Sequence, residues 1–272
     1  MTTPSEEWTL QTQRLGQRVL VFEQIDSTNN QARTLARPEN DGLVVLARQQ
    51  TAGRGRQGHS WQAPPRSSVL LSVVLFPPAD LLRPALLTAW AAVAVADLVR
   101  EHTGSMPRIK WPNDVLLKER KICGILLECV STVHRESMII AGIGLNVTQS
   151  PAELNAAGLL QATSLVQHQD RTPDPDRIAR ELIERLDAGY EQLRAGNWHC
   201  LESRWREYIG LLGKEVLVEH KIADHPSWSA SRGVLSRLSF EGVELERPGC
   251  PPWQVSAEAI QQLSARHPPP SS

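Results

Sequence analysis

Arg48, Arg54, Arg56 and Arg66 fall within 19 residues that contain no Asp or Glu. Among them runs Gly53-Arg54-Gly55-Arg56-Gln57-Gly58-His59-Ser60-Trp61. Glycines let a backbone approach a ligand and turn successive N–H groups toward it. Guanidinium groups add charge-assisted, often bidentate bonds to phosphate or carboxylate. The string suits an anion-binding loop. It also suits a solvated basic loop or an RNA-contacting Arg-Gly segment. Three further strings carry polar groups at strand ends. Lys110-Trp111-Pro112-Asn113-Asp114 projects Lys, Asn and Asp where a turn is expected, and Pro112 holds Trp111 extended; Asn and Asp are also ordinary turn formers. Lys121-Ile122-Cys123-Gly124-Ile125-Leu126-Leu127-Glu128 sets a Lys at the start of an apolar strand with a bare Gly beside it. Such a Lys either meets an anion or snorkels to water. Gly142-Ile143-Gly144-Leu145-Asn146 would let a flat ligand approach a strand end, although two spaced glycines alone are weak evidence.

The elements that must hold these strings follow from periodicity. Arg18 to Gln24 alternates toward a strand, and Asp26-Ser27-Thr28-Asn29 supplies N-caps for a helix over Gln31 to Ala36, stopped by Pro38. Leu43 to Arg48 and Val69 to Phe76 read as strands joined by the glycine loop. Pro84 opens a long helix ending near Gly104. Arg108 to Leu117, Lys121 to Val130 and Ser137 to Ile143 read as strands, with a tight connection at Lys118 to Arg120. Asp176 to Leu193 places Ile178, Leu182, Ile183, Leu186, Tyr190 and Leu193 on one helical face. Leu201, Trp205, Tyr208 and Leu212 form a second stripe, ended by Gly213. After Gly213, short strands over 215–219, 233–238, 242–246 and 253–256 suggest a small barrel.

Composition narrows the function classes. The chain has 272 residues, 41% of them hydrophobic and 22% charged, enough apolar material for a core of one or two domains. Lys+Arg 29 against Asp+Glu 30 leaves a net charge of -1, which argues against bulk coating of nucleic acid. The longest apolar stretch, Ala85 to Val99, is too short to span a membrane, so no membrane partner is expected. No signal pattern opens the chain. The four cysteines have no paired spacing, so a reducing cytoplasm is expected and a protein-held metal is not.

Taken in order, the strings resemble the biotin protein ligases. Asp26-Ser27-Thr28-Asn29-Asn30 resembles that family's biotin-contacting turn, and Gln50 followed by Ala52-Gly53-Arg54-Gly55-Arg56-x-Gly58 its adenylate-covering loop. The strings from Lys110, Lys121 and Gly142 match its remaining blocks. The resemblance implies an α+β fold: a mixed, largely antiparallel sheet with packed helices, as in class II synthetase-like biotin/lipoate ligases, and a C-terminal SH3-like barrel. The expected organisation is a flexible arm (1–17), a catalytic biotin- and ATP-binding domain (18–212), the barrel (213–264) and a tail (265–272).

It also implies a reaction. ATP, with Mg2+, activates biotin to biotinoyl-5′-AMP, and biotin passes to a lysine of a biotin carboxyl carrier protein domain. Ser27, Thr28, Asn29, Gln50, Gly53, Arg54, Arg56, Lys121 and Gly124 would bind biotin. Arg56, Trp61, Lys110, Asn113, Lys121 and Asn146 would bind the adenylate. Lys121, Arg54, Arg56 and Asp114 would carry catalysis, Asp114 by orienting or deprotonating the carrier lysine. Gln57 and His59 stand where the family often has further basic residues, which implies a softer grip on phosphate. Only 25 residues precede Asp26, fewer than a helix-turn-helix domain needs, so no DNA partner is expected. The resemblance leaves a homodimer open. A lipoate or octanoate ligase-like acyltransferase is the nearest alternative, but an adenylating lipoate enzyme is not expected to carry this glycine-arginine loop.

Overall fold

The computed structural model describes residues 2–131, 137–221 and 227–265. Two sheets organise it. The larger contains β1 (Glu6–Trp8), β2 (Val19–Phe22), β3 (Val44–Ala47), β4 (Ser68–Leu75), β5 (Arg108–Lys110), β6 (Asp114–Leu117), β7 (Arg120–Ser131) and β8 (Ser137–Asn146). Their spatial order is β1-β2-β3-β4-β8-β7-β6-β5. Only β2 and β3 pair in parallel; the other neighbours are antiparallel. The expected mixed α+β fold is therefore present.

Every residue of β4 is buried, because helices cover both faces. On one face lie α2 (Pro84–Thr103) and α4 (Pro175–Arg194). Pro84 occupies the first turn of α2, and Gly104, at φ 63, closes it with its N–H on the Arg100 carbonyl. The six apolar residues expected on one face of the Asp176 helix are all buried in α4. Trp90 of α2 is buried against them, and its indole N–H donates to the Leu186 carbonyl at 3.0 Å. The shorter α1 (Thr28–Leu35) covers the opposite face, over β3, β4 and β8.

Three expectations change. Arg108 to Leu117 is not one strand: Trp111-Pro112-Asn113 turns the chain, so β5 pairs back on β6 with Lys110 opposite Asp114. Pro and Asn fit that turn and would weaken a continuous ladder. The stripe from Leu201 forms α5 (Trp198–Ile209), which stops at Gly210 (φ 62), before Gly213, leaving Leu212 49% exposed. The arm expected to be loose over 1–17 is packed across its described residues, 2–17. β1 pairs with β2, and Leu15 is fully buried. The Asp187 carboxylate of α4 accepts the N–H groups of Gln13, Arg14 and Leu15 at 2.8, 2.9 and 2.8 Å. Replacing Asp187 with Ala strands those donors. A loss of about 3 kcal/mol in urea unfolding is expected, with cleavage of residues 1–17 by protease at concentrations that spare the wild type.

The smaller sheet holds β9 (Glu215–Lys221), β10 (Trp228–Leu238), β11 (Gly242–Arg247), β12 (Cys250–Ser256) and β13 (Ile260–Ala265), ordered β12-β11-β10-β9-β13 and antiparallel throughout. Of the expected tail, residues 266–272 lie outside the described residues. A row of aromatic rings joins the two sheets: Trp111 to Trp205 at 5.6 Å between centroids and Trp205 to Phe240 at 5.1 Å. One apolar core runs through them from the large sheet into the small one. Among the described residues no helix is long and apolar enough to cross a membrane.

Candidate active site

The site begins with strand register. Leu70 of β4 lies opposite Gly144 of β8, Gly144 opposite Gly124 of β7, and Gly124 opposite Asp114 of β6. One row across the sheet thus contains two positions without side chains, and that gap is the floor of a cleft. The next row, Ser72–Gly142–Leu126, lies under the first turn of α1. A side chain at Gly142 would collide with the Asn29 carboxamide, so only glycine lets that helix sit so low.

The arginine loop forms the roof as a small hairpin. The Trp61 N–H donates to the Gly53 carbonyl at 2.9 Å and the Gly55 N–H to the His59 carbonyl at 2.7 Å. Its tip turns at Gln57 (φ 53) and Gly58 (φ 79). Trp61 comes down over the two glycines of the floor: a Cβ at Gly144 would lie 2.6 Å from the indole, and one at Gly124 would lie 3.0 Å from it. Lys121 approaches the same ring, with Nζ 5.7 Å from its centroid. The Trp61 indole N–H is buried without a hydrogen-bond partner among the described residues.

Each cation around the cleft meets an internal acceptor. Lys121 Nζ pairs with Asp114 Oδ1 at 2.7 Å. Arg54 donates to Glu128 at 2.8 Å and to Asn30 at 2.9 Å. Arg56 donates to Asn113 Oδ1 at 3.0 Å, and Asn113 is itself anchored by donating to the Ile125 carbonyl at 2.8 Å. Burial pushes the Arg56 proton affinity down and Asp114 opposes it; a guanidinium remains charged regardless. Cys123, fully buried behind Lys121, has its thiol pushed far up by burial and is no nucleophile at neutral pH.

Beneath the roof, the N–H and hydroxyl of Thr28 both donate to Gln50 Oε1, at 2.7 and 3.1 Å. The cleft is walled by Ser27, Thr28, Asn29, Gln50, Arg54, Arg56, Trp61, Asn113, Lys121 and Gly124, with Leu70, Ile125, Leu126, Ile143 and the three further glycines Gly55, Gly142 and Gly144. That mixed lining suits a small organic ligand with a few fixed polar groups. A second cleft shares Arg56, Asn113 and Ile125 with the first and reaches Trp111, Trp205 and Glu258 toward the small sheet.

Most of the residues singled out in the sequence line the first cleft, and Gly53 supports its roof. Asp114 borders it through Lys121. Four residues do not gather there. Arg48 and Arg66 both meet Glu23, and Arg48 also Asp176, away from the cleft. Asn146 is 3% exposed and uses its carboxamide internally, donating to the Thr163 carbonyl at 3.0 Å and accepting from Gln149 at 3.1 Å. Lys110 is exposed at the end of β5 and lines neither cleft. Ser72 escaped the sequence reading although it is buried against α1, its hydroxyl within hydrogen-bond distance of Thr28 Oγ1 at 2.8 Å and of Asn29 Oδ1 at 2.6 Å, with one proton shared between the two acceptors. Its signal was available: it is the one hydroxyl between Val69 and Phe76.

Comparison with known proteins gives a consistent set of likenesses. Residues 21–146 match the pattern that defines the Biotin/lipoate A/B protein ligase family. The chain is 35% identical over 227 residues to the biotin--[acetyl-CoA-carboxylase] ligase of Mycobacterium tuberculosis, covering 79% of this chain and 82% of that protein. It is 32% identical over 208 residues to the bifunctional ligase/repressor BirA of Bacillus subtilis, covering 76% of this chain but only 64% of the longer protein. The fold is similar to that of an Aquifex aeolicus biotin protein ligase solved in complex with biotin and ATP, with a TM-score of 0.73 at 21% identity, over 91% of this chain and 99% of that one.

Proposed function

Since this chain belongs to the biotin/lipoate A/B protein ligase family, we propose that it is an ATP-dependent biotin–[carboxyl carrier protein] ligase. The observation that carries this reading is the convergence of Lys121, Arg54 and Arg56 on one glycine-floored cleft. In the first step a biotin carboxylate oxygen attacks the α-phosphorus of ATP, forming biotinoyl-5′-AMP as pyrophosphate leaves. In the second, the carrier lysine amine attacks the acyl carbon and AMP leaves.

Both steps gather negative charge on phosphate oxygens, which fixed cations stabilise best where water is scarce. Lys121 would bridge the biotin carboxylate and α-phosphate, leaving Asp114 free to orient the incoming lysine and take its proton. The Thr28–Gln50 pair, with Ser27 and Asn29, would face the ureido head. Trp61 would wall the valeryl chain or adenine, while Arg56 and Asn113 hold the nucleotide where the two clefts meet. Residues 18–212 would thus carry both substrates, with 213–264 bordering the nucleotide side. Magnesium would arrive on the phosphates and water. Among the described residues no three His, Cys, Asp or Glu side chains cluster into a cage for a protein-held ion. A cytoplasmic location would suit the need for ATP and a carboxylase carrier domain.

The test is biotin-dependent ATP–pyrophosphate exchange, with lipoate as control. Exchange with biotin alone is expected; exchange only with lipoate, or none, would overturn the reading. Removing Arg56 by Arg56→Gly takes away a charge-assisted contact at the junction of the clefts. Bound biotinoyl-5′-AMP should then escape about 10-fold faster, as followed by gel filtration of the radiolabelled complex.

A further inference from the structure

Beside the proposed reacting groups lies a polar chain whose inner members, Ser72, Glu128 and Arg33, the mechanism does not use. It starts at the proposed ureido contact, where Gln50 accepts from Thr28. Ser72, fully buried, links Thr28 to Asn29. Asn29 then donates its Nδ2 to Glu128 Oε2 at 2.8 Å. Glu128 is the far end: its carboxylate, only 14% exposed, also takes Arg33 of α1 at 2.9 Å and Arg54 of the loop at 2.8 Å. One carboxylate therefore ties three pieces together: the strand that floors the cleft, the helix at its head, and the hairpin that roofs it.

A carboxylate this enclosed would be costly unpaired, and two guanidiniums and a carboxamide compensate it. Two cations alone would suffice for charge. The third partner, Asn29, is what connects the grip to the ligand-facing end of α1. Arg54 sits next to Gly53 and Gly55, at the base of the hairpin, so fixing its guanidinium fixes the hinge and leaves the tip around Gln57 free to adjust.

We propose that Glu128 is a positioning residue of the ligase reaction, holding Arg54, and through it the loop, in register with the helix that reads the biotin head; this rests on the ligase reading above. Glu128 touches neither substrate. It acts by keeping the roof closed while the adenylate waits for its acceptor.

The experiment compares wild type, Glu128→Gln, Arg54→Ala and the double variant for release of preformed biotinoyl-5′-AMP, with KM and kcat for biotin measured alongside. Glu128→Gln keeps the shape and loses the charge. It is expected to speed release about 10-fold and to raise KM for biotin more than it lowers kcat. In the Arg54→Ala background the same substitution should add less than about twofold, because its partner is gone. A Glu128 that only braced α1 through Arg33 and Asn29 would add its full effect there, and that result overturns the proposal. Wild-type release by Glu128→Gln also overturns it. Should Glu128→Gln not fold, Asn30→Ala removes the other acceptor of the same guanidinium, and about threefold faster release is expected; unchanged release counts against the proposal. A wild-type protein without biotin-dependent exchange overturns both this inference and the ligase reading, whereas normal exchange with unaltered release in the variants overturns this inference alone.

Discussion

Replacing Lys121 with Ala is expected to lower biotin-dependent ATP–pyrophosphate exchange by about 10- to 150-fold. The figure is the rate equivalent of about 1.5–3 kcal/mol for a charge-assisted hydrogen bond lost in the transition state. The geometry explains why nothing nearby would substitute. Lys121 enters the cleft from the start of β7, where the pairing with β6 slips between Val115 and Leu116. That slip, with the bare Gly124, leaves the ammonium room: a Cβ on Gly124 would lie 3.2 Å from Lys121 Nζ. Arg54 and Arg56 come from the roof and are held by Glu128 and Asn113, so neither shares its approach. The same variant leaves Asp114 without its cation. Transfer from chemically supplied biotinoyl-5′-AMP to carrier should therefore fall less than exchange does. Equal losses in both assays would assign Lys121 to the second step as well, and wild-type exchange would remove it from the site.

Gly144→Ala tests the floor. Its methyl would lie 2.6, 2.8 and 2.9 Å from three atoms of the Trp61 indole, closer than carbon contacts allow. Gly144 sits mid-ladder between Leu70 and Gly124, so the backbone cannot yield easily, and the ring must move. Overpacking of this kind costs about 1–3 kcal/mol. Since the loss falls on the roof rather than on the ladder, it should appear mainly as weaker retention of the adenylate, about 5- to 150-fold, with little change in melting temperature. A variant that melts far earlier yet keeps the adenylate as the wild type does would mean that Trp61 does not close the cleft.

Much of this was legible in the sequence because local rules and tertiary needs agree. The α4 face follows from a 3.6-residue period that the core then uses intact. The glycine-arginine loop is readable because so many glycines among cations have few purely structural reasons to occur. Other features depended on contacts that no local pattern reports. The packing of residues 1–17 rests on Asp187, which lies more than 170 residues away in the chain. α5 stops at the first of two glycines three positions apart; both take the left-handed conformation, so local pattern does not separate them. β13 went unseen because a register shift between Ile260 and Gln262 lets Ile260 and Leu263 both face inward, a spacing of three that breaks strand alternation. Asn113 and Asn146 look alike in sequence. Only the fold shows that one lines both clefts while the other is spent on Thr163 and Gln149.

Asp114 beside Lys121 and Glu128 beside Arg54 give two cations of the cleft their own counterions, and Asn113 gives Arg56 a neutral acceptor. An arriving anion does not fill an electrostatic vacuum; it displaces a resident partner and gains only the difference. Stray chloride or free phosphate, each able to engage one cation at a time, therefore has little to win. A ligand that spans carboxylate and phosphate can engage Lys121 and Arg56 together while Glu128 keeps its hold on Arg54, so selectivity for the bridged species is built into the arrangement of these partners.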